Sequence, residues 1–152
     1  TKQNYRGNVM SAVLNDGGEI KISAGMASQK SWFELDENFS VKVLSIDEAK
    51  HSVEALFKIK GGYRSGKHKH TCETHIYIVE GKVCNHAIGC TFGPGDYCFQ
   101  ADNDIHDEEF MEDTVAYVSY RGNSEQLVEF YDDDEKVCGH FSVKDFLPAL
   151  NA

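Results

Sequence analysis

The stretch Gly62-Tyr63-Arg64-Ser65-Gly66-Lys67-His68-Lys69-His70-Thr71-Cys72-Glu73-Thr74-His75-Ile76-Tyr77-Ile78-Val79-Glu80-Gly81 decides how the chain is read. Its second half, His75 to Val79, is apolar on both faces, as a strand buried on both sides is, and Glu80-Gly81-Lys82 turns it. In its first half His68 and His70 are two residues apart. Side chains alternate along a strand, so both imidazoles project from one face and can converge on a single ion. Outward from this stretch the same period of two recurs in Val41 to Ile46 and in Ser52 to Lys60, which Gly61-Gly62 closes. Lys82 to His86 returns after the turn, Phe92 to Asp96 is a second tight turn, and Tyr97-Cys98-Phe99 follows. Thr114 to Tyr120 and Leu127 to Tyr131 are the last clear strands, with Asp132 to Lys136 as the exposed turn before Val137. The best helical signal is Ser142 to Leu147, with Ser142 as N-cap, Asp145 three residues on, and Pro148 as the stop. Eight or more short strands almost without helix predict one all-β domain, a sandwich or barrel, jelly rolls included.

Composition agrees with one such domain and excludes several functions. The chain has 152 residues, 41% hydrophobic and 26% charged, which is a globular balance. Fifteen Lys and Arg against 25 Asp and Glu give a formal charge of −10. Phosphate backbones and anionic lipid would repel such a surface, so neither nucleic acid nor membrane is expected as a partner. No apolar run is long enough to cross a bilayer, and the polar start of the sequence lacks the core of a signal peptide, so a cytoplasmic protein is expected. Five cysteines, unevenly spaced and without a C-x-x-C pair, predict reduced thiols rather than a disulfide framework or a zinc knuckle.

The glycine, the five residues after it, H-x-H, a short gap and a glycine-closed apolar strand together resemble the first motif of the cupin superfamily. Pro94-Gly95-Asp96 followed by His106 resembles the second. The resemblance implies a single-domain cupin jelly-roll barrel with little helix. It places one divalent metal in the mouth of the barrel, with His106 completing the site begun by His68 and His70. Most such domains carry a glutamate three or four residues after H-x-H, where this chain has Thr74 and His75; Glu73 stands one residue too early. His75, at an odd separation from His70, faces inward only if residues 71–74 bend or bulge. It is therefore either a metal ligand or a group lining the site, with Tyr77 and Val79 on its face. Glu73 and Tyr77 are the candidate catalytic residues.

Ser31-Trp32, the strands from Val41 and from Leu56, and the tail Phe130 to Val137 are similar to small cupins related to acetylacetone-cleaving dioxygenase and 2,4'-dihydroxyacetophenone dioxygenase. This places the barrel in residues 31–152 and an arm or extra strands in residues 1–30. It implies a mononuclear non-haem Fe(II) dioxygenase cleaving a carbon–carbon bond of a small β-dicarbonyl or hydroxyketone, with O2 as co-substrate and a homodimer as the assembly. Zinc, nickel, manganese or copper also suit histidine ligands. A non-catalytic zinc-binding sensor, or an isomerase or hydrolase using the metal as a Lewis acid, stays open. Asp102, Asp104, Asp107, Glu108, Glu109, Glu112 and Asp113 crowd around His106 as a solvated loop or an acidic rim over the metal. Cys72 is close enough in sequence to be a ligand, whereas His51, His86 and His140 read as surface or structural residues.

Overall fold

Alternation in sequence becomes alternation in burial. From Ser52 to Ile59, Val53, Ala55, Phe57 and Ile59 are buried while the residues between them are wholly or partly exposed. The computed structural model describes residues 2–6, 9–13, 18–23, 27–100 and 104–152. Its strands are β1 (Lys2–Arg6), β2 (Val9–Val13), β3 (Glu19–Ser23), β4 (Phe33–Glu34), β5 (Phe39–Asp47), β6 (Ser52–Ile59), β7 (His68–His70) and β8 (Cys72–Glu80). They continue with β9 (Val83–Asn85), β10 (Cys90–Phe92), β11 (Tyr97–Gln100), β12 (Glu108–Phe110), β13 (Thr114–Gly122), β14 (Gln126–Tyr131) and β15 (Val137–Ser142).

One wall is a large antiparallel sheet in the order β1-β2-β3-β5-β6-β13-β8-β11, with β4 on β5. The opposing wall consists of two three-stranded sheets, β15-β14-β7 and β10-β9-β12. Isolated bridges His68↔His106 and Arg64↔Glu109 join them. The strand runs expected from sequence between Val41 and Val137 lie within or at the ends of these elements, and the fold is an all-β cupin barrel. Residues 1–30 contribute β1, β2 and β3, which extend the large sheet through the pairing of Lys21 and Ile22 with Ile46 and Ser45 on β5.

Apolar residues of both walls fill the core, among them Val41, Val53, Val118, Leu127 and Val128. The expected C-terminal helix is a 3-10 helix, Val143–Asn151, and it does not stop at Pro148. Asp145 accepts hydrogen bonds from the Ser142 N–H (2.8 Å) and Oγ (3.2 Å), which sets its start. Val143, Phe146, Ala149 and Leu150 are buried, so packing on both sides of Pro148 carries the turn past a residue that lacks only one donor. Phe146 stacks on Phe57 at 6.0 Å, and burying such a ring is worth about 1.5–3 kcal/mol.

One face of β8 differs from expectation, and its closing turn agrees with it. Tyr77 and Val79 are 45% and 44% exposed, so the strand is covered on one face only. Gly81, which closes it, has φ +92°, and a Cβ there would lie 2.4 Å from the Asp113 carbonyl oxygen. A glycine is required at that turn both by conformation and by space.

Candidate metal centre

β7 pairs antiparallel with β14, setting His70 opposite Val128 and His68 opposite Phe130. His68 and His70 therefore share the inward face while Lys69 points out toward Glu129. His106 reaches the same face from a distant part of the chain. His68 and His106 exchange both backbone hydrogen bonds, N–H to carbonyl at 2.9 Å each way. Residues paired in this way lie directly opposite each other with side chains on one side of the sheet. The imidazole centroids are 4.2 Å apart for His68 and His106, 5.4 Å for His68 and His70, and 5.2 Å for His70 and His106. One nitrogen from each ring lies within 4.8 Å of the other two, and all three residues are buried.

The opposite edge of each ring is anchored. Nδ1 of His68 donates to the Gly66 carbonyl at 3.0 Å, and Nδ1 of His106 to the Asp104 carbonyl at 3.1 Å. Nδ1 of His70 lies within hydrogen-bond distance of Thr74 Oγ1, at 2.8 Å. With the proton at Nδ1, each Nε2 presents a lone pair, the tautomer a metal requires. The Nε2 atoms of His70 and His106 are buried without a hydrogen-bond partner, as is the amide oxygen of Gln100. Buried polar atoms that end on nothing are costly. A divalent cation would satisfy them together, so the residues fit the metal the cupin resemblance implies.

Burial, followed by the neighbouring imidazoles, holds His70 well below the usual histidine range. Burial also lowers His68, with Glu108 opposing it. Neutral imidazoles are the ligand form. Beside the cluster lies a cavity of about 350 Å³, walled by apolar side chains such as Phe57, Ile78, Val118 and Phe130, with Tyr63 and Glu108 among its few polar groups. No lysine or arginine lines it among the described residues.

The structure does not bring His75, Glu73 or Tyr77 to this cluster. The chain bends at Thr71, where it passes from the sheet of β7 to that of β8, but no bulge follows: from Cys72 β8 keeps regular register, with His75 opposite Phe99 on β11 and Ser119 on β13. Parity then sends Thr74 inward and His75 outward, where His75 meets Glu73 (Nε2 to Oε1, 2.9 Å) and Tyr97 (2.6 Å). Ile76 and Ile78, not Tyr77 and Val79, line the cavity. Cys72 is buried with Sγ toward Thr74 Oγ1 and the Leu127 carbonyl, outside the histidine set. His86 pairs with Glu109 at 2.8 Å on the surface, and His51 approaches Glu125 at 3.9 Å.

The acidic rim is largely partnered. Asp107 binds Arg64, Glu109 binds His86, and Asp113 accepts the Gly61 N–H. Asp102 lies outside the described residues. Sequence reasoning passed over Thr74 and Gln100; parity with His70 was available for Thr74, and nothing local marks Gln100.

Among solved structures, the chain is similar to an RmlC-like cupin from Ralstonia eutropha JMP134, with TM-score 0.71 and 18% identity over 84% of each chain. It is similar to an acetylacetone dioxygenase from Acinetobacter johnsonii, with TM-score 0.67 and 19% identity over 78% of this chain and 84% of that one. A third similarity is to Rhodobacter sphaeroides SigE in complex with the anti-sigma ChrR, with TM-score 0.52 and 17% identity over 60% of this chain and 50% of that one. At such identities these likenesses speak to the fold alone. Among curated proteins none matches the chain. The family model for the ChrR cupin-like domain matches residues 23–125, most of the described barrel, and the chain belongs to that cupin family.

Proposed function

We propose that the protein is a mononuclear metal-dependent cupin acting on a small uncharged molecule, as a non-haem Fe(II) dioxygenase that cleaves a carbon–carbon bond of a β-dicarbonyl or hydroxyketone. One observation carries the reading: three buried imidazoles, anchored at Nδ1, beside an apolar cavity of about 350 Å³. His68, His70 and His106 would hold the ion. When bound, iron supplies Lewis acidity toward two chelating oxygens and a redox partner for O2. The chain does the rest. Phe57, Val118 and Phe130 exclude water and hold the apolar part of the substrate, and the lack of a lining cation leaves an anionic tail unmatched. The likeness to a structure named as an acetylacetone dioxygenase supports this reading.

The test is oxygen uptake by Fe(II)-reconstituted protein across a panel of β-diketones and hydroxyacetophenones. Uptake matched by cleavage products is expected. Stoichiometric iron with no uptake on any compound overturns the dioxygenase reading.

The family match and the likeness to a complex of SigE with ChrR favour a second reading, a zinc-binding regulatory module without turnover. Tight zinc binding together with an inert panel would select it. A cytoplasmic homodimer goes with either reading. β11 ends the large sheet and carries exposed Tyr97 and Phe99, which supports pairing of two copies there; sedimentation velocity measures it.

A further inference from the structure

Glu108 stands two residues beyond His106, and its carboxylate faces the imidazoles. Its Oε2 is 3.9 Å from His68 Nε2 and its Oε1 is 3.9 Å from His106 Nε2. Each oxygen thus faces one ring nitrogen of the three-histidine cluster, which is itself the tighter set. The side chain is only 15% exposed and lines the cavity.

Its placement is built by contacts distant in sequence. Glu108 accepts the Ser65 N–H through its carbonyl at 2.9 Å and donates its own N–H to Ser65 Oγ at 3.0 Å. Gln100 Nε2 donates to Glu108 Oε1 at 2.8 Å. These bonds aim the carboxylate. Its neighbours in sequence find cations or surface partners, Asp107 with Arg64 and Glu109 with His86. No lysine or arginine pairs with Glu108 among the described residues. A shielded carboxylate that faces two ring nitrogens and no lysine or arginine lacks a permanent counter-charge. A divalent cation between those rings would supply it.

We propose that Glu108 is a fourth ligand of the metal centre, a carboxylate delivered by β12, making the set three imidazoles and one carboxylate. The proposal rests on the three-histidine reading and adds a donor to it. A carboxylate halves the net charge of a divalent ion and shifts the donor set toward Fe(II), Mn(II) and Zn(II), away from softer Cu(I). A chelator that loses one proton on binding would then bring the centre to neutrality, in keeping with a cavity that has no other cation.

The experiment is titration with Co(II), followed by calorimetry and by the visible absorption of the bound ion. Wild type, E108Q, E108A and the surface control E109Q are compared, each checked for native near-ultraviolet circular dichroism. One site per chain is expected throughout. E108Q and E108A should bind at least about tenfold more weakly, the lower end of what loss of even a supporting partner costs a metal site. Their visible bands should differ from those of wild type, while E109Q should match it. Wild-type affinity and an unchanged spectrum in both Glu108 variants overturn the carboxylate ligand and leave the histidines standing. If wild type binds no Co(II), or His106→Ala binds as well as wild type, the three-histidine reading falls and the fourth ligand falls with it.

Discussion

Replacing Thr74 by valine removes a hydroxyl beneath the proposed metal ligands. Thr74 is fully buried; its Oγ1 lies 2.8 Å from His70 Nδ1, where it accepts the ring proton in the tautomer with a free Nε2, and 3.3 Å from Cys72 Sγ. Valine keeps the shape of the side chain and removes the acceptor. A buried N–H left without a partner costs about 1–3 kcal/mol, and the added methyl returns about 0.8 kcal/mol through apolar burial. The apo protein should therefore lose roughly 1 kcal/mol, the difference of those two values. Metal affinity should fall further, because the imidazole loses both its orientation and its preference for the tautomer with a free Nε2. Loss of such a partner weakens binding by about 10- to 100-fold, or roughly 1.4–2.8 kcal/mol. Thr74→Ser gives the opposite pattern, keeping the acceptor and emptying a methyl's volume, so stability drops by about 1 kcal/mol with affinity retained. Urea denaturation of the apo proteins and calorimetric titration with Zn(II) read the two quantities separately. Wild-type zinc affinity in the valine variant would refute the reasoning, since His70 would then need no anchor at Nδ1 to bind.

Ala at Gly81 would force an L side chain to φ +92° and set its Cβ 2.4 Å from the Asp113 carbonyl oxygen. Strain of this kind costs about 1–3 kcal/mol before the clash is counted, so the urea midpoint should fall clearly, and an unchanged midpoint would mean that the turn relaxes freely. Burial lowers the pKa of His68 and His70 below the roughly 6.5 of an unfolded chain. Below that pH the unfolded state binds more protons than the folded state, so apo stability is complete above about 6.5 and declines as pH falls; equal urea midpoints at pH 7.5 and 5.5 would contradict it. His75→Ala and Glu73→Gln alter the outer face of β8 and should leave metal content at the wild-type level, whereas His106→Ala should strip it, as plasma emission measurements can check.

The barrel was legible because its main strands bury one face each: the alternation of Val53, Ala55, Phe57 and Ile59 carries β6 without reference to any partner. The pair His68 and His70 was legible for the same reason. The direction of His75 turned on whether the chain bulges after His70, and that is settled by pairing with β11 and β13. The register shift on this part of the sheet falls between Val115 and Ala116, at the far end of β8. Tyr77 and Val79 gave β8 the pattern of a doubly covered strand, because apolar residues do not reveal whether a second layer lies over them. Glu108 stood among seven acids, marked only by lying two residues from His106, which lets it share the inward face if the strand continues. Its turn into the cavity is fixed by Ser65, 43 residues earlier in the chain, a contact that local pattern does not encode. The 3-10 helix passed Pro148 because Ala149 and Leu150 have a place to pack.

Charge around the cavity narrows the ligand further. Among the described residues Asp36 and Glu108 are the acidic side chains lining it, and no lysine or arginine there offsets them. The chain as a whole carries −10, so its long-range field adds to theirs. A ligand entering as an anion meets that repulsion before it reaches the mostly apolar wall. A neutral diketone or hydroxyketone meets neither obstacle. On the reading proposed above, a divalent ion held by the three histidines would supply the positive charge that its deprotonated form needs. The same arrangement disfavours carboxylated sugars and amino acids at the step of entry, before any chemistry distinguishes them.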